Sequence, residues 1–433
     1  MRRCIIILIC ILLLSASKKK AMADEITNTG SLYRQFSYGL SIDKDFIYLN
    51  NEKFIVKGIS YNPYYPLERN GDDMRKAKFE DDLEKIKEAN INSILLYWRR
   101  PLRIYYACRE LGLKIIQGIP IHHKTGDFQD ERLKKMIKSR IRTIVDYVNK
   151  NNLSDAILAY FIGGEIDPYS IRTSDFKNKG LENFKGRYFS SERELNSIEN
   201  FLMEMADYLR DYELTTYSNT HMISHINWPS SDEVLNIDFM DIAFFDIYSY
   251  WPEDVSEFQP GGSFTGTSYQ GYLEELKEKY TGCPLIVSEF GYPTAPEDDL
   301  ASVDEKTQGR EIVNRWIDIL TSKNPIAGGS IFEWNDEWWK QGKGAQFVEF
   351  EKDPGAHEKD DYEEWFGIIS IDGTSYTNYK VRPKPAYDSV KMMYHSDFDP
   401  VKYFKEIRTN KGGDGTTLVT NKVKTADIKR DKY

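Results

Sequence analysis

Ala156–Ile166 reads AILAYFIGGEI: an apolar run that ends in two glycines and then a carboxylate, Glu165. Cys283–Pro293 (CPLIVSEFGYP) repeats the design, an apolar β-branched run closed by Glu289. Neither run alternates polar and apolar residues as a half-exposed strand does, so both read as strands buried on two faces, the habit of a parallel sheet.

Similar runs recur on either side. Lys53–Tyr61 (KFIVKGISY), Ile91–Trp98 (INSILLYW), Leu113–Ile121 (LKIIQGIPI), a stretch near Thr215–Ile223, Phe239–Tyr248 (FMDIAFFDIY) and Ala327–Trp334 (AGGSIFEW) bring the total to eight. Amphipathic stretches separate them. Lys76–Ala89, for example, sets Phe79, Leu83 and Ile86 on one helical face, and Glu131–Lys150 and Thr307–Ser322 behave likewise. Eight buried strands alternating with helices predict an α/β fold, a closed (β/α)8 TIM barrel over residues 52–403 with a short C-terminal extension. The extension should be a hairpin and a closing helix, from FGIISIDG and RPKPAYDSVKMMY. Residues 24–51 show no clear period and read as an irregular lead-in on the outside of the barrel; residues 404–433 read as a polar, disordered tail.

Arg2 and Arg3 precede ten apolar residues, Ile5–Leu14, and Ala21-Met22-Ala23 offers a small-x-small cleavage site. That order predicts a signal peptide over residues 1–23 and an extracytoplasmic protein: secreted, periplasmic or on the cell surface. Lys18–Lys20 leaves room for retention of the segment as an anchor. Of 58 basic and 68 acidic residues in the chain, residues 1–23 hold five basic and none acidic, so export leaves 53 against 68, a net charge near −15. An acidic chain has no electrostatic attraction to nucleic acid or anionic lipid, so neither is expected as a partner. Cys108 and Cys283 remain after cleavage and read as buried thiols rather than a disulfide framework.

Barrel enzymes place their chemistry at the C-terminal ends of the strands, where Glu165 closes the fourth and Glu289 the seventh. The competing reading is that both only pair with buried Arg or Lys. No cofactor and no metal are expected: the histidines form no i, i+4 pair with a carboxylate ligand set, and adjacent His122 and His123 cannot point the same way from a strand end. Two carboxyls ~5–5.5 Å apart suit a retaining glycosidase and ~6.5–9.5 Å an inverting one; strands four and seven of a narrow barrel suit the shorter span. Glu289 is then the nucleophile and Glu165 the acid/base, its proton held by an apolar setting and by the charge of Glu289. Trp98, Trp251, Trp334, Trp338 and Trp339, with Tyr61, Tyr64, Tyr65, Tyr248, Tyr250 and Tyr292, fall at or past strand ends and suit a carbohydrate, whose C–H faces stack on aromatic rings. Asn62 and Arg99 are further candidates for contacts to sugar hydroxyls or acidic groups, and Arg99 or Arg100 could instead pair with Glu165.

With these elements in place, residues 54–334 resemble the clan A glycoside hydrolases. The likeness is to groups that open with a Lys-Gly-Ile/Val-x-Tyr strand and close with a Phe-x-Trp strand, as in family 2-like and family 5-like barrels and the family 72 β-1,3-glucanosyltransferases. Here these are Lys57-Gly58-Ile59-Ser60-Tyr61 and Phe332-Glu333-Trp334. The resemblance implies that Tyr248 holds the nucleophile and that Trp334 floors the sugar site. One position departs: the clan's Asn before the acid/base is Gly164 here, and Asn219, His221 or Arg99 is expected to replace it as donor. The function these readings imply is exported retaining hydrolysis or transglycosylation of a β-linked oligo- or polysaccharide. A non-catalytic glycan-binding barrel and an envelope interaction protein are the alternatives.

Overall fold

A computed structural model describes residues 33–62, 79–122, 126–228, 235–249, 263–298, 301–338, 340, 358–375 and 378–410. The expected signal peptide, together with Tyr64, Tyr65, His123, Tyr250, Trp251 and Trp339, lies outside the described residues.

Four short antiparallel strands open the chain: β1 (Arg34–Gln35), β2 (Leu40–Ile42), β3 (Ile47–Leu49) and β4 (Glu52–Phe54). The barrel comes next, as β5 (Val56–Ser60), β6 (Ser93–Leu96), β7 (Lys114–Ile119), β8 (Ile157–Gly164), β9 (Met222–Asn227), β10 (Ala243–Asp246), β11 (Leu285–Phe290) and β12 (Gly328–Ile331). Every neighbouring pair is parallel, and β12 pairs with β5 to close the ring. The TIM barrel expected from the alternating pattern is therefore the architecture.

Helices α1 (Phe79–Glu88), α2 (Leu102–Leu111), α3 (Glu131–Lys150), α4 (Pro168–Lys177), α5 (Ser197–Tyr217), α6 (Ser268–Lys279) and α7 (Glu305–Leu320) connect the strands. Their starts reflect local chemistry. Asp130, Asn196, Thr267 and Asp304 each accept from backbone N–H groups of the first turn, and Asn196 with Glu199 forms a reciprocal capping box. A hairpin, β13 (Ile369–Ser375) and β14 (Asn378–Pro383), leads into α8 (Pro385–Met393), which packs on α7. Lys384, just before α8, makes a fully buried ion pair with Asp336 at 2.7 Å and so ties the closing helix to the chain after β12.

Two apolar layers result. Val56, Leu95, Ile116, Leu158, Ile226, Phe244 and Ile286 fill the barrel interior, while Ile94, Ile115, Ile157, Ile223 and Leu285 face the helices. Alternation along each strand is what sorts them.

Three expectations are corrected. Residues 24–51 are not an irregular lead-in where they are described: β1–β4 form a sheet whose Phe36, Leu40, Ile42 and Ile47 plug the N-terminal end of the barrel interior. The strands are only two or three residues long, too short to show a period. The fifth strand is Met222–Asn227, because residues 215–217 finish α5. Residues 404–410 are not disordered tail: α9 (Pro400–Asn410) runs through them, with Phe404 packed on Phe264 at 5.2 Å between ring centroids, and the rest of the expected tail lies outside the described residues. Cys108 and Cys283 are buried free thiols, as expected. Among the described residues no helix is long and apolar enough to cross a membrane.

Candidate active site

Glu165 follows β8 at a sharp turn in the backbone. Gly163 has φ of +64° and Glu165 itself +48°, a left-handed conformation that a non-glycine residue adopts only where its surroundings impose it. The Glu165 N–H donates to Ile226 O at 3.0 Å, which anchors the turn on β9. Glu289 is the fifth residue of β11 and pairs across the sheet with Asp246, the last of β10. The register slips between Phe245 and Asp246, which brings Asp246 level with Glu289. Carboxylate oxygens of Glu165, Asp246 and Glu289 all lie within 4.8 Å of one another.

Two phenols hold Glu289. Tyr97 donates to Oε1, and Tyr248 donates to Oε2 at 2.5 Å. Tyr97 is fixed in turn by Ser60 Oγ at 3.1 Å and by the close approach of β7: a Cβ on Gly118 would lie 2.4 Å from Tyr97 O. Tyr248 is wedged between Phe332 and Phe366, at 6.3 and 5.7 Å between centroids. Asp246 is 1% exposed and accepts from Ser288 Oγ at 2.7 Å.

Burial makes an ionised carboxyl costly, and neighbouring carboxylates add to that cost. Burial first, then the charges of Glu289 and Glu363, push Glu165 up to about 8. Glu289 is pushed up to about 7 by burial, against the two phenol donors, which favour its anion. Burial, with Glu289 and Glu165 opposite, drives Asp246 well above the usual carboxylate range. Glu333 is buried too, and rises for the same reason, with Glu337 beside it. Lys340 balances part of this charge, with its ammonium 2.6 Å from Glu337 and 3.0 Å from Glu363. A second trio of converging carboxylates, Glu358, Asp361 and Glu364, lies apart from the pair; neither trio includes a histidine or cysteine.

The arrangement thus offers one carboxylate held ionised by donors, one carboxyl that keeps its proton near neutral pH, and a short gap between them. Those are the requirements of double displacement at an acetal carbon.

The other expected site residues divide. Trp98 is 48% exposed at the mouth, one residue beyond Tyr97. Tyr292 contacts Ser249 and joins Phe332 and Phe366 in the apolar cluster under Tyr248; Trp338 is buried in the segment after β12. Asn62 accepts from Arg100 and donates to Glu337 Oε1 at 3.2 Å, which links the β5 end to the segment after β12.

Five placements are corrected. His221 precedes β9 at the opposite end of the barrel, fully buried, bonded to Glu213 at 2.6 Å and to Ser154 O at 2.9 Å, so it cannot stand in for the missing Asn. Asn219 lies at that same end, on Asn149. Tyr61 points outward after β5 and donates to Asp82 of α1 at 3.0 Å. Trp334 is fully buried against Tyr387 of α8, and Phe332 takes the strand-eight aromatic position beside Tyr248, because β12 ends at Ile331 and strand alternation no longer sets side-chain direction past that residue. Arg99 stacks on Tyr147 of α3, 4.9 Å from the ring centroid, rather than reaching the carboxyls. Gly164 itself is not demanded by sterics: a Cβ there would meet Ile226 at 3.4 Å, an ordinary contact.

Tyr97 was hidden beside the more conspicuous Trp98. Parity would have found it, since Leu95 faces the interior and Tyr97 is two residues on.

No protein-family model and no curated protein matches the chain. Solved structures do. A GH2 β-galacturonidase from Eisenbergiella tayi bound to galacturonate superposes with a TM-score of 0.53 at 16% identity, covering 83% of this chain and 55% of that one. A β-glucuronidase from an uncultured Clostridium gives 0.54 at 14%, with 82% and 53% covered. A β-D-glucuronidase from Dictyoglomus thermophilum gives 0.53 at 13%, with 83% and 54% covered. The chain thus shares the barrel of these glycoside hydrolases and spans about half their length.

Proposed function

We propose that this chain is an exported retaining glycoside hydrolase or transglycosidase that acts on a β-linked oligo- or polysaccharide, with Glu289 as nucleophile and Glu165 as acid/base. The observation that carries the reading is the convergence of these two carboxyls within 4.8 Å at the C-terminal ends of β8 and β11. So close an approach favours the retaining spacing of ~5–5.5 Å, which leaves no room for a water between Glu289 and the anomeric carbon, over the inverting ~6.5–9.5 Å. The neighbours named as β-glucuronidases and a β-galacturonidase favour the β-linked class, and the basic, apolar N-terminal segment favours export.

In this reading each group has a part. Tyr97 and Tyr248 orient Glu289 and hold it as the anion; it attacks the anomeric carbon while Glu165 protonates the departing oxygen. Ester formation removes the negative charge of Glu289, so the pKa of Glu165 falls and it can take a proton from water or from an acceptor sugar. Trp98 offers an exposed aromatic face at the mouth, and Phe332 and Tyr292 pack beneath Tyr248.

The test is the anomeric configuration of the first product, followed by proton NMR on a panel of defined β-glycosides. Initial β product supports double displacement. Initial α product overturns it.

A further inference from the structure

We infer that Asp246 is a third carboxyl of the active site that stays protonated, a positioning residue that keeps the Glu165–Glu289 pair at one shared negative charge. This rests on the glycosidase reading for its consequence in catalysis, though not for the charge state itself.

Position comes first. Phe244 points into the barrel with Ile286, so Asp246, two residues on, points inward as well, and the slip in register brings it level with Glu289. It is almost wholly buried, and it lies within 4.8 Å of both catalytic carboxyls. The groups around it are Glu165 after β8, Glu289 and Ser288 on the adjacent β11, and the phenol of Tyr97 after β6. Glu333 and the Lys340 ammonium lie further off, acting on Glu289, and Lys340 is already engaged by Glu337 and Glu363.

Three carboxyls this close, away from water, cannot all ionise. The donors decide which ones do. Glu289 receives two phenol hydrogens, Glu165 is partly open to solvent, and Asp246 has one serine hydroxyl on one oxygen. The proton is therefore cheapest on Asp246, which then acts as a donor facing the pair rather than as a third anion. An ionised Asp246 would repel charge from Glu289 and disable the nucleophile near neutral pH. A protonated one leaves Glu289 free to ionise. Neutral carboxylic acids kept as donors by apolar burial are an established device in enzyme sites.

The experiment has two arms. In the first, wild type labelled with 13C at aspartate carboxyls is titrated by NMR. A carboxyl resonance that stays at the acid position while ordinary carboxyls titrate, and that is missing in Asp246→Asn, supports the proposal; a resonance assigned to Asp246 that titrates in the ordinary carboxylate range overturns it. This arm needs no substrate, and no variant for folding beyond the one used for assignment. In the second arm, the pH profile of kcat/KM is compared. Asn is neutral and keeps a donor, so Asp246→Asn should lower kcat/KM by roughly tenfold and leave both limbs in place, while Asp246→Ala should lower it by roughly a hundredfold. If Asp246 is ionised, removing its charge eases ionisation of both glutamates and shifts both limbs of Asp246→Asn to lower pH, which overturns the proposal. Failure of the glycosidase reading shows separately, as absence of a covalent sugar on Glu289, while the NMR arm still decides the charge of Asp246.

Discussion

At the N-terminal end of the barrel, Asp241 lies between Arg210 and Arg34, each at 2.5 Å, and Glu213 holds His221 at 2.6 Å. At the C-terminal end, Glu165, Asp246 and Glu289 face one another within 4.8 Å, with Glu333 buried nearby. The same strands supply both ends, and both are buried. At the first, Asp241 sits between two guanidinium groups and Glu213 is hydrogen-bonded to His221, so burial is offset and the sheet β1–β4, helix α5 and the starts of β9 and β10 are locked together. At the second, like charges are gathered and only partly compensated by Lys340. Folding alone does not reward that arrangement; a reaction that needs one proton and one negative charge side by side does.

The contrast can be broken at either end. The largest effect expected is loss of activity in Glu289→Ala, on the order of 10⁴-fold or more in kcat on aryl β-glycosides, with the folded state retained. Equal rates for wild type and variant would remove Glu289 from the chemistry. At the other end, Asp241→Ala leaves the Arg210 guanidinium, 2% exposed, without its carboxylate, and should destabilise the protein by about 3–5 kcal/mol in urea unfolding. Below its melting transition the variant should keep the pH profile of the wild type, since nothing at that end touches the carboxyls.

Tyr248→Phe removes one of the two donors to Glu289 and should lower kcat/KM by about 10²–10³-fold. The donor favours the anion, so its loss raises the Glu289 pKa and moves the acid limb of the profile upward. For wild type, that limb belongs to ionisation of Glu289, raised to about 7, and the basic limb to deprotonation of Glu165, raised to about 8. Activity should therefore peak in the neutral range. The smallest effect is on stability. Both glutamates have folded-state values above the unfolded value near 4.5, so whatever they contribute is complete below about pH 4.5 and is lost as pH rises through about 7 and 8. Glu165→Gln should match wild type in unfolding free energy near pH 4 and exceed it near pH 9, by about 1–3 kcal/mol. A gain that does not grow with pH would show that the like-charge cluster is not what burdens this end.

Legibility in the sequence divides along the same line. Strands with long apolar runs, such as ILAYFI and LIVSEF, announced the barrel because burial on two faces leaves no other pattern, and the glutamates closing them announced the site. Residues past the strand ends were harder. Tyr61 and Trp334 look like rim aromatics in the sequence, yet one bonds Asp82 and the other packs on Tyr387, because side-chain direction beyond the last ladder bond depends on turns that alternation does not encode. His221 was misplaced by a strand boundary: with β9 starting at Met222 rather than ending near Ile223, it falls at the opposite end of the barrel. Asp246 was visible as a residue, but its role needs the slip in register against Glu289, and single-chain patterning carries no cross-strand register.

The most direct test is to incubate the protein with a panel of 2-deoxy-2-fluoro-β-glycosyl fluorides and map the labelled peptide by mass spectrometry. Time-dependent inactivation with one sugar attached to Glu289 is the predicted result. Turnover of β-glycosides with Glu289 unlabelled, or with the sugar on another carboxylate, would contradict the account.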